Sequence, residues 1–467
     1  MVFSSFVFLL AFLPIVLLLY YLCPARLRNL VLLVFSLVFY AWGEPVYVLI
    51  MLFSIVFDYA NGRLIEHFKN KNCPGKAKAA LIVDLCGNLA ILGFFKYTDF
   101  VIGSINSITG AGLSLLHIAL PIGISFYTFQ TMSYTIDVYR GEVAAQKNIL
   151  TFATYVTLFP QLIAGPIVQY KTVEKELMHR KVTLEDFSEG AFRFSVGLAK
   201  KVLLANQIGS LWNSISQLNH MSVATAWLGA IAYSFQIYFD FSGYSDMAIG
   251  LGKLFGFDFP ENFNYPYLSK SVQEFWRRWH ISLGTWFREY LYFPLGGSRK
   301  GAVRTYVNLM IVFLVTGLWH GAGMTFVLWG VYYGVLQVIE RLGFKKILGK
   351  YPVIGWSYTF LAALFGWVLF RADTFVQAGG MMVRMICPWK YLQTDVLLQN
   401  IVDHRAFVML IVGLLGCGFI QKIWQRIPGT KRWKYSIGEA VWCAILGVLS
   451  LAALAGNTYN PFIYFRF

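Results

Sequence analysis

Charged side chains are scarce in this sequence of 467 residues. Asp, Glu, Lys and Arg together supply 13% of the residues, whereas an ordinary soluble domain contains roughly 25%. Hydrophobic residues supply 57%, and the mean hydropathy is +0.58. A soluble fold has no use for so much apolar surface. The composition therefore excludes an ordinary soluble domain and predicts that lipid is the main solvent.

Cysteine is also sparse. The six cysteines have a spacing that matches no metal site, and most lie in or beside apolar segments. In such places cysteine behaves as a small hydrophobic residue. We therefore expect no disulfide framework and no bound metal. We also expect no bound cofactor.

The positive charge is not concentrated in a basic helix. The net charge is +16, but Lys and Arg fall in short connections between apolar runs. This distribution is typical of cytoplasmic loops that face an anionic leaflet. It excludes a nucleic-acid partner and indicates that the protein interacts with a lipid bilayer.

Apolar runs that approach the roughly 20 residues needed for a membrane-spanning helix occur along most of the chain. They lie near residues 3–22, 29–42, 46–62, 79–97, 115–136, 148–168, 190–215, 222–240, 305–320, 322–340, 353–371, 405–422 and 437–456. Several are short or contain Gly and Pro. We predict an all-α polytopic membrane protein with about eleven spans, and re-entrant or interfacial helices for the rest.

The first connections predict the orientation. No basic residue precedes the first run, which we interpret as a membrane helix and not as a cleaved signal peptide. Arg26 and Arg28 follow this run, Glu44 follows the second, and several lysines follow the third. Since positive loops face the cytoplasm, we predict a multi-pass plasma-membrane protein with an extracytoplasmic N-terminus.

One region breaks the apolar pattern. From about residue 240 to residue 304 the chain is richer in charge, Gly, Pro and aromatic residues, which favours interfacial or cavity-lining structure. We see no internal repeat of the kind many transporters contain. We therefore predict one domain, 1–467, with a catalytic core at about 240–340 and an aromatic tail at 457–467.

His320 is the most conspicuous titratable residue, because uncharged runs precede and follow it. Burying an ionisable group at membrane depth is costly, so such a residue is a candidate functional group. Gly317 and Gly321 flank it and would permit close approach of a substrate or a backbone. The alternative is a structural histidine hydrogen-bonded between helices.

His280 lies in a segment rich in aromatic and basic residues, 274–289. If this segment were one helix, Trp276, His280, Leu283 and Phe287 would share a face. One interpretation is an interfacial helix with aromatic and basic anchors. The other is that His280 points into a cavity.

Polar residues follow in the stretch 238–246 and at the end of the chain. Asp240 is predicted either to orient a histidine or pair with an arginine, or to lie at a helix terminus and face water. The tail 459–467 is unusually aromatic, so it is expected either to anchor at the interface or to insert into a cavity.

Several of these segments together resemble the membrane-bound O-acyltransferase family, closest to its bacterial branch of alginate and peptidoglycan O-acetyltransferases. The resemblance covers most of the chain and is sharpest at 239–246, 260–263, 275–289, 292–297 and 317–321. It implies a ring of helices around a central cavity, where acyl donor and acceptor meet from opposite faces.

The resemblance also implies roles for individual residues. The family's invariant histidine corresponds to His320 and its second polar position to His280. The closing sequence 462–467 is similar to an aromatic tail motif in which a tyrosine carries the acyl group, here Tyr464. The implied partner is an extracytoplasmic hydrolase-like acetyltransferase.

We therefore predict an O-acetyltransferase that passes an acyl group, expected to be acetyl, from acetyl-CoA or another thioester to hydroxyls of a surface polysaccharide. We assign catalysis to His320, His280 and Tyr464, and we expect His320 to act as the general base. Substrate binding is assigned to a further set, namely Trp276, Arg277, Arg278, Trp319 and Asp240. The alternatives are D-alanyl transfer to teichoic acid and a non-enzymatic transporter or export channel.

Overall fold

The computed structural model describes residues 1–218, 220–392, 398–424, 437–456 and 462–463, and all regular elements in these ranges are helices. The all-α prediction is therefore confirmed. Within the described ranges, five helices are long and apolar enough to cross a membrane: Val48–Asn70, Pro74–Thr109, Ala302–His320, Pro352–Arg371 and Ile437–Ala455. Shorter apolar helices accompany them at Phe8–Leu22, Phe375–Ile386 and His404–Gly416. The count of about eleven spans stays a prediction.

Contacts group the chain into two compact units. The first contains Met1–Phe194 and Met247–Pro260. Its helices are Val7–Phe12 (π), Leu13–Leu22, Ala25–Leu27 (3-10), Arg28–Ala41, Val48–Asn70, Pro74–Thr109, Ile124–Arg140, Ile149–Thr157, Phe159–Leu162 and Tyr170–Met178. Leu184–Ala199 begins in this unit. The single run predicted at 148–168 is thus two short helices, with the chain turning at Leu158.

A buried polar cluster joins three helices of the first unit. Asn88 Nδ2 donates to Asp58 Oδ1 at 2.6 Å, and Thr135 Oγ1 donates to Asp84 Oδ2 at 2.6 Å. All four side chains are buried. Because a buried polar group without a partner is costly, these bonds select one packing of the three helices.

The second unit contains Ser195–Asp246 and Glu261–Phe467. Its helices are Lys200–Ala205 (π), Asn206–Ser216, Val223–Leu254, Pro266–Leu268 (3-10), Val272–Arg278, Ile281–Phe287, Arg288–Tyr292 (π), Ala302–His320, Met324–Ile339, Glu340–Phe344 (π), Lys345–Lys350, Pro352–Arg371, Phe375–Ile386, Leu398–Ile401, His404–Gly416, Phe419–Trp424 and Ile437–Ala455. The end of Val223–Leu254 belongs to the first unit.

A helical hairpin in the second unit carries His320. Ala302–His320 packs against Met324–Ile339 at unusually close range, because Gly317 and Gly330 have no side chains to separate the backbones. A Cβ on Gly317 would overlap the carbonyl oxygen of Phe326, and one on Gly330 would overlap that of Phe313. Small residues allow this close approach between membrane helices. His320 is the last residue of its helix and is buried.

Two local predictions were wrong. The segment 274–289 is not one helix, because His280 has a φ of 47° and separates Val272–Arg278 from Ile281–Phe287. A left-handed residue cannot continue an α-helix. Asp240 does not lie at a helix terminus facing water. It is buried inside the helix Val223–Leu254.

Candidate functional site

A cavity of about 540 Å³ opens within the second unit beside the broken segment. Its wall is formed by Val272–Arg278, Ile281–Phe287, the π-turn Arg288–Tyr292, Ala302–His320 and residues 337–341. Three arginines lie on the wall and are exposed, namely Arg277, Arg288 and Arg341. The cavity thus combines a cationic rim with a largely apolar wall, which suits a ligand with an anionic part and an apolar part.

His280 lies in the wall of this cavity and is 2% exposed. Its ring is held by Asn262, whose Oδ1 lies 3.1 Å from His280 Nδ1. The same Oδ1 accepts from Ser282 Oγ at 2.9 Å, while Asn262 Nδ2 donates to Ser245 Oγ at 3.0 Å. Asn262 therefore receives and donates hydrogen bonds in a fixed pattern at the centre of a buried network.

This network selects the tautomer of His280. Because Asn262 Oδ1 is an acceptor, the ring nitrogen Nδ1 must carry the proton and donate it. Burial lowers the pKa of His280 to about 3, so the ring is neutral at physiological pH. A neutral imidazole protonated at Nδ1 has its lone pair at Nε2. His280 can therefore accept a proton or a hydrogen bond at Nε2.

Trp319 connects the two predicted histidines. Its ring centroid lies 6.2 Å from that of His280 and 5.1 Å from that of His320. The His320 ring also contacts Trp329 at 5.1 Å and Phe370 at 5.2 Å. His320 is not among the residues that line the arginine-rimmed cavity. The structure thus brings both histidines to one tryptophan and places only His280 on the cavity wall.

The predicted substrate-binding residues separate into two groups. Trp276 and Arg277 line the cavity. Arg278 does not, because its guanidinium pairs with Glu274 at 2.7 Å and donates to the carbonyl of Asn264. Both arginines lie on the helix Val272–Arg278, where consecutive side chains point about 100° apart, so they face different surroundings.

Asp240 pairs with a lysine instead of the predicted arginine or histidine. Its Oδ1 lies 2.5 Å from Lys201 Nζ, and both side chains are almost fully buried. Its Oδ2 accepts the backbone N–H of Ile463 at 2.7 Å. Asp240 therefore contacts the C-terminal tail.

The tail inserts into the second unit at the two residues that the structure describes there. Phe462 is 3% exposed, and its ring lies 4.8 Å from Tyr244 and 5.7 Å from Phe241. Phe241 in turn lies 4.7 Å from the His280 ring. The tail was expected either to anchor at the interface or to insert into a cavity, and the burial of Phe462 agrees with insertion. Tyr464 lies outside the described residues.

Sequence reasoning missed several functional candidates. Asn262 lies in the segment 260–263 that carries the family resemblance, but no spacing rule connects it to His280, 18 positions away. Arg341 and Gln337 reach the cavity from the end of the helical hairpin. Arg288 would share a helix face with Arg277 if 274–289 were one helix, but it is not among the predicted substrate-binding residues.

Comparison with known proteins identifies the family. The sequence model of the membrane-bound O-acyltransferase family matches residues 142–372. A probable alginate O-acetylase, AlgI, of Pseudomonas putida is 41% identical over 488 aligned residues that cover 100% of both chains. The peptidoglycan O-acetyltransferase of Helicobacter pylori is 36% identical over 81% of this chain and 78% of that protein.

A more distant relative is the teichoic acid D-alanyltransferase of Bacillus subtilis, 27% identical over 54% of this chain and 69% of that protein. These similarities support an acyltransferase in preference to the transporter and export-channel alternatives. The chain belongs to the membrane-bound O-acyltransferase family and is a multi-pass membrane acyltransferase.

Proposed function

We propose that this enzyme transfers acetyl from a cytoplasmic thioester to hydroxyls of an extracellular or cell-wall polysaccharide. The support for acetyl transfer to a polysaccharide is the similarity to an alginate O-acetylase and a peptidoglycan O-acetyltransferase. The D-alanyltransferase has lower identity and covers less of the chain. Acetyl is therefore the acyl group we assign.

The arginine-rimmed cavity is our candidate for the donor site. Arg277, Arg288 and Arg341 are suited to phosphate groups, because a guanidinium can donate two parallel hydrogen bonds to such anions. The apolar wall would take the thioester arm, with its acyl end near His280. Acetyl-CoA fits this pattern, as does another acyl thioester with a phosphate-bearing arm.

In the transfer step the acceptor hydroxyl oxygen attacks the acyl carbonyl carbon. A carbon–oxygen bond forms and the carbon–sulfur bond breaks, and a base takes the hydroxyl proton, which the thiolate finally receives. We assign the base to His320. We assign to His280 either a hydrogen bond that orients the acyl group or a relay of the proton through Nε2. General-base help of this kind is worth about 10²- to 10⁴-fold.

The first acceptor in this scheme is Tyr464 or a hydroxyl on a partner protein. In either case the reaction passes through a covalent acyl carrier, which divides one transfer into two easier ones. An extracytoplasmic hydrolase-like acetyltransferase would then complete transfer to the polymer. We retain the positive-inside prediction that the N-terminus is extracytoplasmic.

One observation carries the proposal: a neutral His280, held by Asn262, on the wall of a cavity with three arginines at its rim. The test measures ester-linked acetate on surface polysaccharide of cells that express His320→Gln, His280→Gln or, as a control, the exposed His404→Gln. We expect the first two to lose acetylation and the control to retain it, at equal membrane levels of protein. An active His320→Gln enzyme would remove His320 as the base. Mass spectrometry of the polymer would reveal alanyl in place of acetyl if the assignment of the acyl group is wrong.

A further inference from the structure

The ion pair between Lys201 and Asp240 is unusual because it is almost fully buried. Lys201 is 4% exposed and Asp240 is 2% exposed. Removing two charges from water costs about as much as their attraction returns, so such a pair is a weak source of stability. Stability alone therefore does not account for this pair, and its other contacts are informative.

One of these contacts is with the backbone of the C-terminal tail. Asp240 uses Oδ1 for Lys201 and Oδ2 for the N–H of Ile463, at 2.7 Å. A hydrogen bond to a carboxylate is stronger than one between neutral groups. Lys201 lies in the π-helical turn Lys200–Ala205. Such turns are frequent at functional sites.

The neighbouring tail residue has an aromatic seat of its own. Phe462 packs against Tyr244 and Phe241, which follow Asp240 on the same helix. Phe241 also contacts the His280 ring. The polar contact at Ile463 and the apolar contact at Phe462 therefore hold these two tail residues next to the residues around His280.

We infer that the Lys201–Asp240 pair and the Phe241–Tyr244 surface form a docking site for the enzyme's own C-terminal tail. Asp240 is accordingly a positioning residue that binds the tail and does not bind substrate. Lys201 holds the Asp240 carboxylate in its orientation through the ion pair. The consequence for catalysis rests on the proposed function: docking holds the tail near His280 during transfer.

The docking claim is tested by hydrogen exchange on the full chain in lipid nanodiscs. The double variant Lys201→Met/Asp240→Leu replaces both charges by apolar side chains of similar size, so it leaves no buried charge unpaired. We expect the Ile463 amide to exchange at least about tenfold faster in the double variant than in the wild type, because its acceptor is lost. Unchanged exchange in the helix Ala302–His320 would show that the fold is intact. Equally fast exchange of the Ile463 amide in the wild type would overturn the docking site.

The positioning claim is tested from the other side of the bond. Ile463→Pro removes the backbone N–H and leaves the Lys201–Asp240 pair in place, whereas Ile463→Val retains the N–H. With acetyl-CoA as the donor, we expect Ile463→Pro to lower kcat at least about tenfold with little change in donor KM, and Ile463→Val to restore the rate. A wild-type rate in Ile463→Pro would overturn positioning. If the wild type transfers no acetyl at all, the proposed function fails, and hydrogen exchange still decides whether the tail docks.

Discussion

Asn262 organises more of the site than any residue chosen from the sequence. Its amide oxygen lies within hydrogen-bonding distance of His280 Nδ1 and accepts from Ser282, and its amide nitrogen donates to Ser245. His280 could be selected from the sequence through the family resemblance of its segment, because a histidine among aromatic and basic residues is also typical of an interfacial helix. A neutral asparagine outside any helix carries no such signal, and only the fold shows what it contacts.

Replacing Asn262 with leucine should impair the reaction more than it impairs folding. The side chains have similar size, but leucine cannot accept the Nδ1 proton, so the ring would lose its fixed tautomer and orientation. We expect kcat to fall at least tenfold, by analogy with the loss seen when a histidine's orienting acceptor is removed. The measurement is acetyl transfer at saturating donor in membranes with matched protein levels. The control is Asn264→Leu, two residues away and exposed; equal losses in both variants would contradict the role.

The arginine rim leads to a different kinetic prediction. Arg341→Gln removes one of the three guanidiniums on the cavity wall, so donor KM should rise several-fold with kcat nearly unchanged, as for a contact made equally in ground and transition states. Higher ionic strength should raise the wild-type KM as well, because salt screens exposed charges. Arg299→Gln is the control, since Arg299 is exposed and absent from the cavity wall. If both variants behave alike, the donor does not bind at this rim.

At the scale of helices, the sequence predicted which segments are helical better than it predicted where a helix is interrupted. Apolar length identified Pro352–Arg371 and Ile437–Ala455 within a few residues. The same reasoning joined residues 274–289 into one helix, because periodicity does not reveal a single residue with positive φ. Arg277, on the cavity wall, and Arg278, which pairs with Glu274, both lie on the helix before that break, and the helical period directs them to different neighbours.

The hairpin that carries His320 depends on close backbone packing at Gly330. Gly330→Ala should force the two helices apart and lower stability by about 1–3 kcal/mol, the usual cost of overpacking. We expect a lower thermal unfolding temperature in detergent and reduced transfer, because His320 ends the neighbouring helix. Gly349→Ala is the control, since a Cβ at Gly349 meets no atom within 4 Å. If the Gly330→Ala protein were as stable as this control, the two helices would be able to separate at Gly330 without a loss of stability.

At the scale of the whole molecule, apolar composition and family membership agree on a multi-pass membrane enzyme. Arg26 and Arg28 after the first apolar run predict that the N-terminus is extracytoplasmic. The ring of about eleven spans and the single domain remain predictions from sequence and resemblance.

The orientation can be measured directly. In a variant whose six native cysteines are replaced by serine, a cysteine placed before Met1 should react with a membrane-impermeant maleimide in intact cells, whereas a cysteine replacing Lys76 should react only after permeabilisation. Both positions lie outside the predicted apolar runs 3–22 and 79–97, so neither change should alter insertion. If the cysteine replacing Lys76 reacted in intact cells and the cysteine before Met1 did not, the predicted topology would be inverted. The donor and the acceptor would then lie on the opposite sides of the membrane.

The sequence by itself determined the solvent and the helical class, because both follow from the cost of placing charge or polar backbone in lipid. It also selected His320 and His280 as candidate catalytic residues, the first from its apolar surroundings and the second from the family resemblance. Only the tertiary structure decided which groups meet. It showed that Asn262 holds His280, that Lys201 and Ile463 share Asp240, and that Arg341 joins Arg277 and Arg288 at one rim. These pairings join residues far apart in the chain, and hydropathy and periodicity describe only neighbours along it.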